Sequence, residues 1–205
     1  MFKNKFFLLS VLAVIIAIIA YVFVGNEEVK PSQVIDNEYL TSIKNLRSDK
    51  DSYLKKDSAS PIKDTINFKG LKYFDINPAY KITGKIDRVT SGQVINITMS
   101  GGEVEEYEAY GNLTFELEGV KCALKIFKTP EGNLFLPFKD LTSNKETYGA
   151  GRYLDFGVND VKNNEIMIDF NKAYHPYCAY NQTFTCPVPP AGNTLNVAVK
   201  AGEKL

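Results

Sequence analysis

Residues 113–126 read Leu-Thr-Phe-Glu-Leu-Glu-Gly-Val-Lys-Cys-Ala-Leu-Lys-Ile, and this stretch decides the fold class. Leu113, Phe115 and Leu117 alternate with Thr114, Glu116 and Glu118. Glu118-Gly119 turns the chain, and Cys122, Leu124 and Ile126 then alternate with Lys121, Ala123 and Lys125. A period of two puts successive side chains on opposite faces of a strand, so the stretch predicts a half-buried antiparallel pair. Cys122 falls on the apolar face, where a thiol is inert.

Similar runs precede it. Lys81–Val89 carries Ile82 and Ile86 on one face with Gly84 between them. Ile95, Ile97 and Met99 alternate with Asn96 and Thr98 before a Ser100-Gly101-Gly102 turn, and Val104–Tyr110 follows. Short alternating runs divided by glycine turns predict a mainly β domain, an antiparallel sandwich or partly closed barrel. On its N-terminal side, Tyr39, Leu40, Ile43, Leu46, Tyr53 and Leu54 recur at helical spacing behind Asp36. This predicts one or two N-terminal helices, interrupted around Ser48–Asp51 and closed by Ser60-Pro61. At the other end Asn193–Val199 reads as a last strand.

Residues 6–24 form an uncharged apolar run behind Lys3 and Lys5, with Glu27 and Glu28 after it. Its length suits one crossing of the hydrocarbon layer, and the lysines place the tail before it in the cytoplasm. A cleaved signal peptide competes, but the run is long for one and has no clean small-x-small site. The expected layout is an anchor and tail over 1–25, a tether over 26–35, and an extracytoplasmic β-rich domain over 36–205. The lipid bilayer, contacted through 6–24, is then the first expected partner, and the location is single-pass in the cytoplasmic membrane.

Without the two tail lysines the net charge is about −2, which supplies no electrostatic funnel for nucleic acid. Nothing in the sequence points to a cofactor: Gly149-Ala150-Gly151 lacks the spacing and the following helix of a phosphate loop.

Candidate chemistry gathers in 140–190. Pairing Tyr153–Val158 with Glu165–Phe170 as a hairpin, with Asp155 opposite Asp169, puts Tyr153, Asp155, Met167, Asp169 and Asn171 on one face. Facing carboxylates repel unless a cation or shared proton intervenes. Arg152 is the nearest cation, either as a planar clamp for a ligand's carboxylate or anion, or as an internal Arg–Asp bridge. Tyr148, Tyr153 and Tyr174 would supply aromatic walls, and packing tyrosines with one hydroxyl bond are the competing reading. His175, the only histidine, is either a structural residue or a general base oriented by Asp169 or Asp155. Cys178 and Cys186 are open to three readings: a disulfide, free buried thiols, or a metal site shared with His175 and a carboxylate. Cys186-Pro-Val-Pro-Pro190 cannot continue a central ladder and reads as a rigid rim.

Five blocks carry a family resemblance: FKGLKYFDINPAYKI at 68–82, YGNLTFELEG at 110–119, LFLPFKDLTSNKETYGAGRYLD at 134–155, IDFNKAYHPYCAYNQTFTCPVPP at 168–190 and NTLNVAVKAGEK at 193–204. Over roughly 45–204 the chain resembles DUF1684, a family of uncharacterised bacterial proteins with no established activity. The family pattern has Gly-Gly-Gly-Arg where this chain has Gly149-Ala150-Gly151-Arg152, and often Asn at the place of His175. That second difference argues against a family-wide mechanism resting on His175. Arg152, Asp155, Asp169, Asn171, Cys178 and Cys186 match the pattern.

The expected function is a membrane-anchored envelope protein that binds a small polar or anionic ligand through Arg152, Asp155, Asp169 and Asn171. A hydrolase or isomerase using the paired carboxylates is one alternative. A structural module of an envelope complex, with a protein partner the sequence does not name, is another.

Overall fold

The computed structural model describes residues 37–205. One helix, α1 (Asn37–Lys56), opens it. The polar residues at 48–51 do not interrupt α1, because Ser48 and Asp49 point to solvent, where a polar side chain costs the helix little. Its inward face carries few apolar residues. Ile43 and Leu54 are buried, and between them Arg47, Lys50 and Asp51 reach the body of the protein. Arg47 donates to the Phe74 carbonyl (3.1 Å), and Asp51 accepts the Leu71 N–H (3.0 Å).

Strands then follow: β1 (Lys72–Tyr73), β2 (Lys81–Arg88), β3 (Val94–Thr98), β4 (Val104–Leu117), β5 (Val120–Lys128), β6 (Leu134–Phe138), β7 (Arg152–Phe156), β8 (Glu165–Asp169) and β9 (Glu203–Lys204). Seven form one antiparallel sheet in the order β7-β6-β5-β4-β2-β8, with β3 also paired to β4; β1 and β9 form a separate two-stranded sheet. The sheet curls into a half-barrel. The two runs read at 104–110 and 113–117 are one long strand. Its first half pairs with β3 and its second with β2, and the register with β5 shifts between Ala109 and Gly111. Gly111 is required there, since a Cβ would sit 2.7 Å from the Asp87 carbonyl oxygen.

Alternation sorts the side chains into two apolar clusters. Leu113, Leu124, Ile126, Leu134, Leu136, Phe138, Leu154, Ile166 and Ile168 belong to the main core. Phe127, Phe135 and Tyr153, on the opposite face of their strands, join Ile97 in a second cluster. Leu195, Val197, Val199 and Ala201 complete the main core. Their period of two is that of the expected last strand, but 193–199 forms no ladder. It touches Lys139 and Leu141 through a few backbone bonds, and the closing strand is β9.

Two expectations are corrected here. Tyr153–Val158 and Glu165–Phe170 are not a hairpin: β7 pairs with β6 and β8 with β2, so they are the two end strands of the sheet. The transmembrane helix is the other correction. Among the described residues no helix is long and apolar enough to cross a membrane, and the anchor and tether expected over 1–35 lie outside those residues. The bilayer partner and single-pass membrane location lose their support with it.

Gly84 lies where three strands meet. A Cβ there would stand 2.6 Å from Leu113 Cδ1 and 2.8 Å from Ile168 Cδ1. Gly84→Val is expected to destabilise the protein by about 1–3 kcal/mol through overpacking. The check is a lower urea midpoint in equilibrium unfolding; an unchanged midpoint contradicts this packing.

Candidate functional site

Arg152 opens β7, and its side chain is fully buried. Nη2 donates to Asp140 Oδ2 (2.9 Å) and to the Val199 carbonyl (2.7 Å). Nη1 donates to the carbonyls of Ala201 and Glu203. Burial pulls the guanidinium's pKa below its ordinary value, and Asp140 is the strongest influence pushing it back. Of the two sequence readings the internal Arg–Asp bridge describes this geometry, but with Asp140 in place of Asp155 or Asp169. Gly151 permits the approach: its φ is +101°, and a Cβ would lie 2.5 Å from the Phe138 carbonyl.

Glu203 is the second buried charge. Its carboxylate accepts from the His175 backbone N–H (2.8 Å) and the Tyr180 hydroxyl (2.6 Å), and Lys50 Nζ lies 2.5 Å from it. His175 is sealed beside it. Nε2 accepts the Tyr148 N–H (3.2 Å), and Nδ1 stands 3.8 Å from Glu203. Burial first, then the charges of Arg152 and Lys50, push the imidazole down to about 3. It is therefore a very weak base whose Nε2 lone pair is already taken by the Tyr148 N–H, and the carboxylate beside it is Glu203 rather than Asp155 or Asp169, which argues against the general-base reading. Tyr148 packs edge-on against His175, with ring centroids 6.4 Å apart.

Asp155 and Asp169 do line one cleft, of about 670 Å³, across the open seam between β7 and β8. Arg152 is absent from it. Asp169 is held by the Tyr39 hydroxyl (3.0 and 3.1 Å) and by Asn171, whose N–H and Nδ2 both donate at 3.1 Å. Asn171 is itself consumed: Oδ1 accepts the Asn77 N–H, and Nδ2 donates to the Asn77 carbonyl. Asp155 accepts the Tyr174 hydroxyl at 2.5 Å. Although Asp155 is at the surface, the protein packed around it raises its pKa, against the pull of Tyr174 and Lys50.

The disulfide is corrected: Cys122, Cys178 and Cys186 are all free and buried. The Cys178 N–H donates to Cys186 Sγ (3.3 Å). Burial pushes the Cys186 thiol up to about 11, so it is a protonated thiol and a poor nucleophile. Among the described residues no group of three or more His, Cys, Asp or Glu could hold a metal ion, and the Nε2 lone pair of His175 is already taken.

A groove that the sequence did not reveal lies over the second apolar cluster. Its volume is about 610 Å³, and its walls are Tyr107, Phe135, Tyr153, Tyr174, Tyr177 and Phe184. Phe135 and Tyr153 meet edge-to-face at 4.8 Å, Tyr153 and Tyr174 at 5.7 Å, and Tyr177 and Phe184 at 5.4 Å. Reciprocal backbone bonds fasten Tyr174 to Tyr153, and the Tyr153 hydroxyl donates to the Pro187 carbonyl. Lys50 Nζ lies 4.4 Å over the Tyr174 ring. Pro130, Pro176, Cys186 and Pro187 also line it, so the start of the 186–190 segment forms part of its wall. One signal was available in the sequence: Leu134-Phe-Leu-Pro-Phe138 is apolar without alternation and buried throughout, as a strand covered on both faces must be.

The buried imidazole makes stability depend on pH. The unfolded chain protonates His175 near its ordinary 6.5, and the folded chain only near 3. Its contribution is therefore complete above 6.5 and is lost as pH falls toward 3. Urea unfolding at pH 6 and pH 5 is expected to show a loss steeper by about 1.4 kcal/mol per unit in the native protein than in His175→Gln. Equal slopes contradict a sealed, neutral His175.

A family model described as "Protein of unknown function (DUF1684)" matches residues 66–204. No curated protein matches the chain. Among solved structures it is similar to the uncharacterized protein from gene locus rrnAC0354 of Haloarcula marismortui, determined by solution NMR. The two are 33% identical with a TM-score of 0.65, and the alignment covers 82% of this chain and 95% of the other. The expectation of a membrane-anchored envelope protein that clamps its ligand through Arg152 is corrected as well. The described residues form a curled β domain with no spanning helix and no metal cluster, and the residue meant to clamp the ligand is sealed inside. From the family model and the solved relative together, the chain belongs to the DUF1684 family of proteins of unknown function.

Proposed function

We propose that the protein is a binding domain whose aromatic groove takes a small ligand with a flat, largely apolar ring body. The observation that carries this reading is a concave aromatic lining on the face of the sheet opposite the main core. Folding alone needs one apolar face per sheet. Here the second face is apolar too, and part of it is left as a groove. A volume of about 610 Å³ falls in the range of small-molecule sites, which are mostly apolar with a few placed polar groups.

Rings arranged edge-to-face leave flat π surfaces at right angles to one another, and each further ring contact adds roughly 0.5–1.5 kcal/mol beyond area burial. The polar groups sit at the margins. Lys50 covers one side of Tyr174, and Glu131 also lines the groove. The tyrosines act as protonated hydroxyls, since burial raises Tyr107 and brings Tyr177 to about 12. Binding rather than turnover is the better fit. The thiol in the lining is protonated, and the nearby imidazole is sealed away from it.

The test is a ligand-observed NMR screen of flat ring compounds against the full chain, repeated with Tyr177→Ala and Phe184→Ala at the groove margin. Compounds that bind are expected to lose at least tenfold in affinity in both variants. Binding unaffected by either substitution, or no binding by any ring compound, would overturn the reading.

A further inference from the structure

A second cleft, of about 640 Å³, lies between α1 and the segment leading into β1, and shares no residue with the aromatic groove. Its cations are Lys44, Arg47, Lys55, Lys56 and Lys69, against the single carboxylate of Asp51. That carboxylate is already engaged, accepting the Leu71 N–H at 3.0 Å. None of the four lysines has an ion-pair partner among the described residues. On α1, Lys44, Ser48, Ser52 and Lys55 or Lys56 recur at three- and four-residue spacing, so ammonium and hydroxyl donors form one stripe along the cleft. Arg47, stacked 4.4 Å from the Tyr73 ring, keeps a buried Nε with no hydrogen-bond partner among the described residues.

We infer that this cleft binds a small compound carrying several phosphate groups. The donor chemistry selects phosphate over carboxylate. The one guanidinium has its fork turned to the carbonyls of Phe74 and Asn171, so it cannot offer a carboxylate the bidentate face that such recognition uses. What remains are lysine point charges and serine hydroxyls, which suit the tetrahedral, multiply charged oxygens of phosphates. Several phosphates are needed, because an exposed ammonium paired with one charge contributes little. The size of the cleft matches a small molecule. The site stands apart from Arg152, whose charge is spent inside the protein.

The experiment is calorimetric titration of the full chain with inorganic tripolyphosphate at low ionic strength, with citrate as a carboxylate of comparable charge. A single-stranded oligonucleotide serves as an extended polyanion. Tripolyphosphate is expected to bind, to bind at least tenfold more tightly than citrate, and to weaken at least tenfold in the double variant Lys55→Gln/Lys69→Gln. Both lysines are at the surface, and near-ultraviolet circular dichroism checks that the fold is kept. Phe184→Ala is expected to leave this binding unchanged, which separates the site from the groove. Four outcomes would overturn the inference: no binding, equal affinity for citrate, an unaffected double variant, or tighter binding of the oligonucleotide through the same lysines.

Discussion

A guanidinium without access to water holds this fold together. The segment 195–201 fills the main core with Leu195, Val197, Val199 and Ala201, yet for most of its length no strand runs beside it. A buried carbonyl without a donor costs free energy comparable to a lost hydrogen bond. Arg152 supplies the missing donors, reaching the carbonyls of Val199, Ala201 and Glu203 from one fork. Asp140 neutralises the charge that this places inside the protein and, through its other oxygen, holds the Val199 N–H. Removing either partner of such a pair leaves an uncompensated buried charge, typically at a cost of about 3–5 kcal/mol.

From that point a second polar contact links outward. Glu203, whose carbonyl is the last of the three, collects with its carboxylate Lys50 from α1, the backbone of His175 and the hydroxyl of Tyr180. The helix is thus docked less by an apolar ridge than by named polar contacts. Tyr39 reaches Asp169, Arg47 reaches Phe74, Lys50 reaches Glu203 and Asp51 reaches Leu71. Because its inward face is engaged this way, α1 presents its remaining lysines to the neighbouring cleft, and Lys50 arrives at the margin of the aromatic groove. One core polar arrangement therefore positions an element of both proposed sites.

The strands were legible wherever one face is buried. The alternation at 113–126 is what β4 and β5 show, because charged residues on the other face stay in water. Pairing was not legible. Residues 153–158 and 165–170 look like neighbours in sequence, yet each strand's partner is set by packing with distant strands. Asp155 and Asp169 still meet in one cleft because the curled sheet brings its ends together, a property no local pattern encodes. Arg152 stands out in the sequence as a clamp or as the cation for Asp155 and Asp169, whereas its acid is Asp140, which lies on no alternating run. Tyr153 and Tyr174 are readable as aromatic walls, but the groove as a whole is not, because its other rings come from β4, β6 and the 177–184 region, far apart in sequence.

The measurement that bears most directly on the role of Arg152 is NMR of its guanidinium protons in the folded protein. Four hydrogen-bonded, buried Nη–H groups should give separate resonances that exchange slowly with water, and the slowest should persist until global unfolding. A single averaged Nη signal exchanging rapidly with solvent would mean that the fork is open, and that something other than Arg152 holds the C-terminal segment in the core.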